Sequence, residues 1–400
     1  MALLLLSPRP VEAAGAYMRG PMIGHVSPTT AVIWAYTKNR PGVRVYYREK
    51  GAPATAARFV DMKSSLMGMQ RARVTLTGLK PDTEYVYRVF FRRKTEATWR
   101  GGFRTPPPVG TPTRFKMGVS SCMKVDAPSH ESFRLLLREK PVFHLLLGDN
   151  HYADDPNASK LWTAYLDMRR KPAFAELLRE TPTYAMWDDH DFAGDNRGGE
   201  VRRKHISLEV FKEVWANPSA GLPNVPGAFF KLSWGDVDFF VLDGRYYRSR
   251  FEAPNNASKR MIGDAQYRWF ARQITQSKAC FKIIASGSTI EVEGEDTWVH
   301  YRYDLQRIWN LIRDRRIGGV LWMSGDLHRS LIDTHPATET GFYDLHEIVS
   351  SGIANSDDLS FATVAFDTTL PDPQAHVKIH HGNASIIEEK VIRRSTLEMR

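Results

Sequence analysis

Acidic, histidine, thiol and phenol side chains follow four apolar segments of this 400-residue chain. The segments are residues 115–119, 142–147, 183–186 and 319–323. The side chains that follow them are, in chain order, Cys122, Asp149, Tyr152, Asp189, His190, Asp326 and His328. Such short apolar segments are typical of buried strands, and the carboxyl ends of strands in an α/β sheet meet where ligands bind. We therefore expect these side chains to form one site.

The donor types favour two cations rather than a structural zinc site, because structural zinc prefers a closed tetrahedron of cysteine and histidine. Carboxylates and amides suit hard ions such as Ca²⁺ or Mg²⁺, whereas thiolate, phenolate and imidazole suit a transition metal such as iron. Two ions about 3.5–4 Å apart can clamp a phosphoryl group and activate water. Two cations therefore fit these donors better than one structural zinc ion, and such a pair is the arrangement used in two-metal hydrolysis.

Each signal also has a plain structural explanation. Asp149 follows a glycine and could cap a turn, and Cys122 could be a small buried apolar residue, as we expect for Cys280. The run Asp-Asp-His-Asp at 188–191 is the strongest signal, because three acids after an apolar strand are costly without cations or arginines nearby.

The elements that must position these residues are apolar strands alternating with amphipathic helices over residues 109–400. Helices are predicted near 129–138, 205–215, 264–276 and 304–313, and strand patterns at 375–379 and 385–392 are predicted to close a sheet edge. This alternation predicts an α/β layered domain.

Residues 17–108 have a different pattern, with short alternating strands separated by proline and glycine turns. The stretch 79–87 resembles the Leu-x-Pro-x-Thr-x-Tyr segment of fibronectin type III domains, in which a tyrosine packs against a corner between strands. A small fibronectin type III or immunoglobulin-like β-sandwich is therefore expected, followed by a stiff proline-rich linker at 105–112.

The net charge of +10 lies in this first region, since residues 17–108 carry 17 Lys and Arg against 5 Asp and Glu. Two interpretations remain open: a solvated surface that is merely basic, or a module that docks the protein on a polyanion or anionic surface, with catalysis secondary.

Residues 1–16 combine an apolar run with small residues. They indicate either a remnant of a signal peptide or a plain disordered N-terminus. We predict a periplasmic or secreted protein, with the cytoplasm as the alternative. The chain contains no run of about 18 apolar residues, so no transmembrane anchor is expected. Two cysteines form no disulfide framework.

Six sequence blocks resemble the alkaline phosphatase D (PhoD-like) family of the calcineurin-like metallophosphoesterase superfamily, and they occur in the family's order. The blocks are 121–122, 147–152, 187–191, 242–248, 263–269 and 324–328. The resemblance implies a four-layer core of two sheets flanked by helices. It also implies phosphomonoesterase or phosphodiesterase activity through attack of a metal-bound hydroxide on phosphorus.

The resemblance also implies roles for individual residues. Fe³⁺ would be held by Cys122, Asp149, Tyr152 and His328. Ca²⁺ would share Asp149 and use Asp326, Asp189 and Asn196, although Gly194 and Asp195 lie equally near the family's asparagine position. Zn²⁺ and Mn²⁺ are the alternative metals.

His190, which follows Asp189 in the sequence, would protonate the leaving group. Arg245 would contact the phosphate or, as the alternative, form an ion pair with Asp243 or another buried acid.

The family's twin-arginine signal is absent from this sequence. A different iron enzyme, such as an oxygenase, is a further alternative, although it lacks a two-histidine ligand pattern.

Overall fold

The structure is a computed structural model that describes residues 18–37, 43–53, 58–61, 71–91, 99–292, 296–355 and 359–399. Residues 1–16, on which the signal-peptide prediction rests, lie outside these ranges. The described residues form four β-sheets. Within these ranges, no helix has the length and apolar character needed to cross a membrane.

Two antiparallel sheets form the first part of the chain and pack as a sandwich. The three-stranded sheet has the order β1 (Met18–Val26), β2 (Thr30–Thr37) and β5 (Arg71–Thr77). The four-stranded sheet has the order β4 (Arg58–Asp61), β3 (Val43–Glu49), β6 (Glu84–Phe91) and β7 (Trp99–Arg104). Ile33 and Val45 are among the side chains buried between the sheets. The Tyr85 hydroxyl accepts a hydrogen bond from the Lys80 N–H at 2.9 Å, which is the corner contact that the sequence predicted.

Two mixed six-stranded sheets form the rest. The first has the order β10 (Thr183–Met186), β9 (Phe143–Leu147), β8 (Arg114–Ser120), β17 (Ser360–Asp367), β18 (Gln374–His381) and β19 (Ile386–Arg393). The second has the order β11 (Phe230–Trp234), β12 (Val237–Val241), β13 (Phe281–Ser286), β14 (Val320–Ser324), β16 (Leu345–Val349) and β15 (Leu331–His335). Strands β8 to β10 and β12 to β14 with β16 are parallel, so their carboxyl ends share an edge.

The two large sheets pack face to face, and helices cover their outer faces. The ring of Phe143 lies 5.2 Å from that of Trp234 and 5.3 Å from that of Phe239, which joins the sheets. On the far side, Phe270 of a helix packs edge-on against Phe240. The helices are α1 (Ser132–Arg138), α2 (Ala158–Met168), α3 (Pro172–Glu180), α4 (Asp189–Phe192), α5 (Lys204–Val214), α6 (Asp264–Gln276), α7 (Arg302–Asp314) and α8 (Ala337–Thr340). The predicted four-layer core is confirmed.

Helices α2 and α3 were not predicted, although both carry recognisable start signals. Asn157 caps α2, because its side-chain oxygen accepts hydrogen bonds from two N–H groups of the first turn. Pro172 occupies the first turn of α3, where its missing N–H has no cost.

The sandwich packs directly against the C-terminal ends of α2 and α5. Trp34 Nε1 donates to the carbonyl of Glu213 at 2.9 Å, and the Arg169 guanidinium lies between the rings of Trp34 and Trp215. The proline-rich segment also packs onto the second large sheet, since the Gly110 N–H donates to the Gly235 carbonyl. At its other end the Thr105 N–H donates to the Thr83 carbonyl of the sandwich, and the stiffness of the segment stays a prediction.

A buried ion pair in the second sheet gives a testable pH dependence. His335 Nε2 lies 2.9 Å from Glu347 Oε2, and both side chains are almost fully buried. Burial opposes the charge on His335, but Glu347 outweighs it and raises the histidine pKa above its usual value. The pair therefore stabilises the fold fully below about pH 6.5, and this contribution is lost as pH rises through the raised pKa.

We expect His335→Gln to lower the free energy of unfolding by about 1–3 kcal/mol at pH 6, because Glu347 loses its charged partner. The difference should shrink towards pH 9. Urea unfolding at both pH values measures it, with the exposed His205→Gln as the control. An equal loss at both pH values would contradict the predicted charge on His335.

Candidate metal centre

The predicted residues meet at one edge of the two sheets because strands β8, β9, β10 and β14 end there. Several of them adopt left-handed backbone angles that non-glycine residues rarely adopt. The φ angles are 59° for Cys122, 53° for Asp149, 69° for Asp326 and 59° for His328. Such angles cost of order 1–3 kcal/mol each and persist where surrounding structure imposes them, often at functional sites. The surrounding structure therefore maintains this backbone strain, which directs the four side chains towards one site.

A sulfur, a phenol, a carboxylate and an imidazole form the first group. Tyr152 Oη lies 3.1 Å from both Asp149 Oδ2 and His328 Nε2, and Cys122 Sγ lies 3.4 Å from Asp149 Oδ2. Ligands about 2.0–2.3 Å from a common ion lie about 3 Å apart when they are adjacent. These four residues are the set that the resemblance implied for iron.

Carboxylates form the second group, which adjoins the first through Asp149. The ligand atoms of Asp149, Asp189 and His190 lie within 4.8 Å of one another, as do those of Asp188, Asp189 and Asp326. Four buried or half-buried carboxyl groups thus share one small volume.

Burial holds the thiol and the phenol of the first group in their protonated forms. It raises the pKa of Cys122 to about 11, and Asp326 adds to the shift. Burial, Cys122 and Asp149 raise the pKa of Tyr152 strongly. A coordinated cation reverses this effect, since it deprotonates a thiol outright.

The raised pKa values of two carboxyl groups likewise indicate a site that favours positive charge. Burial first, then Cys122 and Asp189, raises the pKa of Asp149 well above its usual value. Burial and the charge of Asp189 do the same for Asp326. Burial also pushes the pKa of Asp189 upward, but Arg245 and His190 outweigh it and hold that pKa low.

Two carboxylate oxygens in the centre have no hydrogen-bond partner among the described residues, although they are fully buried. They are Asp149 Oδ1 and Asp188 Oδ2. An orphaned buried carboxylate oxygen is costly. The donor set and these orphaned atoms therefore fit bound cations.

His190 lies at the mouth of this centre and is held by an acid. Its Nδ1 is 2.6 Å from Asp154 Oδ1, and its ring lies 4.0 Å from the ring of Tyr152. The histidine side chain is 16% exposed, so a bound substrate can reach it. With Nδ1 engaged, Nε2 is the nitrogen left for proton transfer.

Arg245 forms ion pairs with two acids, which is one of the two roles expected for it. Its side chain is fully buried, Nε donates to Asp188 Oδ1 at 2.5 Å, and Nη2 donates to Asp296 Oδ2. Burial disfavours its charge, but Asp188 and Asp189 outweigh burial and raise its pKa. The expected partner Asp243 contacts only its backbone N–H. Arg245 thus contacts the carboxylate group of the centre directly, and contact between Arg245 and phosphate stays a prediction.

Asn196 contacts the centre through its backbone. Its N–H donates to Asp189 Oδ2 at 2.7 Å, while its side chain is exposed and its φ is 57°. Ligation by the Asn196 side chain stays a prediction.

Sequence reasoning missed three contributors. Asp188 stands inside the strongest motif, and Gly148 and Gly287 make room for it, because a Cβ at either position would lie about 2.5 Å from its side chain. Asp154 and Asp296 carry no motif signal, since each comes from a loop distant in sequence from its partner.

Two family models match this chain. The family described as "PhoD-like phosphatase" matches residues 117–389, and a domain of unknown function (DUF7800) matches residues 15–108. Alkaline phosphatase D of Bacillus subtilis (strain 168) is 23% identical over 317 residues, which are 64% of this chain and 53% of that protein. The chain thus spans about half the length of this curated relative.

Two solved structures share the fold. "Structure of PhoD" superimposes with a TM-score of 0.78 at 16% identity, covering 98% of this chain and 94% of that one. A purple acid phosphatase from yellow lupin (Lupinus luteus) seeds gives 0.69 at 12% identity, covering 94% and 74%. The chain therefore has the fold of these two structures. The chain belongs to the PhoD-like phosphatase family.

Proposed function

We propose that the protein is a metal-dependent phosphoesterase that hydrolyses phosphate esters. The observation that carries the proposal is the shared position of Asp149, which joins a Cys-Tyr-His group to a group of three further aspartates. Family membership supports the same reaction class.

We further propose Fe³⁺ for the group of Cys122, Asp149, Tyr152 and His328, because phenolate, thiolate and imidazole suit a transition metal. The carboxylates of Asp149, Asp189 and Asp326 suit Ca²⁺, with Asp188 as an additional ligand candidate. When bound, such cations supply Lewis acidity that neutralises charge on the phosphoryl oxygens and activates water.

The chain's own residues supply proton transfer and positioning. His190 donates a proton from Nε2 to the departing oxygen, and Asp154 fixes the ring through Nδ1. Arg248 binds Asp296, Asp296 binds Arg245, and Arg245 in turn orients Asp188. Lys124, whose Nζ is 4.7 Å from the centre of the Tyr152 ring, adds positive charge at the rim for an anionic substrate.

The purified protein should be coloured and should contain iron and calcium, because phenolate and thiolate bound to ferric iron give ligand-to-metal charge-transfer absorption. Tyr152→Phe should shift or remove the visible band, whereas Tyr303→Phe, at an exposed tyrosine, should leave it unchanged. Elemental analysis and visible spectroscopy test this. A colourless active protein that contains zinc or manganese would overturn the iron proposal and leave the phosphoesterase proposal standing.

Location outside the cytoplasm and the division of the chain at residues 108 and 109 stay predictions from the sequence. The second candidate function, docking on a polyanion, is favoured by a basic groove beside the four-stranded sheet of the sandwich.

A further inference from the structure

A large basic groove lies between the sandwich and the second part of the chain. Its volume is about 1020 Å³. One wall is the four-stranded sheet, and the other consists of residues near 137–142 and 180–182. These latter residues immediately precede strands β9 and β10, so the groove lies at the amino ends of strands whose carboxyl ends carry the candidate metal centre.

The described lining residues carry seven cationic side chains and two acidic ones. Lys50 is neutralised by Glu84 at 2.7 Å. Four of the cations form no ion pair with any residue that the structure describes. These are Arg48, Arg88, Arg100 and Lys140. The positive charge of the groove is therefore largely uncompensated within the described chain.

The strand register places two of these cations directly opposite each other. Arg88 of β6 pairs with Arg100 of β7, and both side chains are exposed. Like charges at directly opposed positions of an antiparallel pair destabilise a sheet. A bound anion between the two guanidinium groups would relieve this repulsion.

Aromatic rings lie among the cations on the same sheet face. Tyr46 is the partner of Arg88 on its other side, and Phe90 is the partner of Arg44. The rings of Tyr46 and Phe90 meet edge-to-face at 5.1 Å, and both are partly exposed. A polyphosphate or an anionic lipid surface needs only charge, whereas cations interleaved with rings match a strand of phosphates and bases.

The groove does not overlap the candidate metal centre. Strand β9 separates Val142 at the groove from Asp149 at the centre, a distance of about 23 Å at about 3.3 Å per residue. Occupation of the groove therefore leaves the metal centre open.

We propose that this groove binds single-stranded nucleic acid, with Arg88 and Arg100 on phosphates and with Tyr46 and Phe90 against bases. The inference goes beyond the proposed function, because it needs neither metal nor hydrolysis. The proposal assigns part of the positive charge of residues 17–108 to one binding surface and one class of ligand.

Fluorescence anisotropy of the full-length protein with a 5′-labelled 20-nucleotide oligothymidylate tests the proposal. Arg88→Glu combined with Arg100→Glu should weaken binding at least tenfold at low salt and reduce the salt slope by about 0.7 per lost phosphate contact. Phe90→Leu, which keeps an apolar side chain but removes the ring, should weaken binding about fivefold or more. Lys140→Glu tests the opposite wall of the groove without changing the sheet.

The matched control is Arg268→Glu combined with Arg272→Glu, which changes net charge equally on the exposed face of α6. The control should bind within twofold of the native protein. The proposal is overturned if native protein fails to bind at low salt, or if the control weakens binding as much as the groove variant. Equal binding of long-chain polyphosphate with no effect of Phe90→Leu, or binding only to phosphatidylglycerol vesicles, would also overturn it.

Discussion

Asp149→Asn is expected to lower kcat/KM for phosphate esters by at least about 1,000-fold, while the protein remains folded. Asp149 contacts the Cys-Tyr-His group through Oδ2 and lies within 4.8 Å of Asp189, so one substitution weakens both proposed cation sites. Loss of cation stabilisation of several kcal/mol corresponds to this factor. Hydrolysis of p-nitrophenyl phosphate and of its diester measures the effect, and elemental analysis should show reduced metal content.

The structure explains why folding should survive this change. Asparagine has the shape of aspartate, and burial already raises the pKa of Asp149 well above normal, so the metal-free fold gains nothing from its charge. In metal-free protein the variant should unfold at or above the native melting temperature. Asp126→Asn, at an exposed aspartate four residues after Cys122, is the matched control and should keep full activity. Activity of Asp149→Asn within tenfold of native would rule out the proposed centre.

His190→Gln should reduce hydrolysis of alkyl phosphate esters about 10²- to 10⁴-fold, which is the usual contribution of general acid catalysis. The loss should be much smaller for p-nitrophenyl phosphate, because nitrophenolate departs without needing a proton. This dependence on the leaving group distinguishes a proton donor from a residue that merely maintains the centre. Unchanged metal content must accompany the result, since His190 lies near Asp149 and Asp189.

Asp154→Asn extends the same test to a positioning residue. The 2.6 Å contact with His190 Nδ1 holds the ring, and misplacement of a catalytic group costs roughly 10- to 100-fold. We expect a smaller loss than for His190→Gln but the same dependence on the leaving group. His205→Gln, at an exposed histidine of α5, should change neither. A loss independent of the leaving group in both variants would show that His190 is not the acid.

Much of the architecture could be predicted because local patterns and tertiary demands agreed. The strand at Thr183–Met186 and the helix at Asp264–Gln276 were predicted at their observed bounds, since buried strands and amphipathic helices have distinct periods. Helices α2 and α3 were missed although each carries a start signal, at Asn157 and Pro172, and each buries apolar residues at helical spacing.

The sequence by itself determined the kinds of donor atom and the family, because both follow from residue types in a fixed order. Only the tertiary structure decided that Arg245 binds Asp188 and Asp296 rather than Asp243. Only the structure showed that Asp154 holds His190, and that Arg88 and Arg100 are cross-strand neighbours on one wall of the groove. Each of these pairs joins residues from separate loops or strands, which only the folded chain brings together. Such long-range pairs leave no local periodic pattern in the sequence, so they could not be predicted from it.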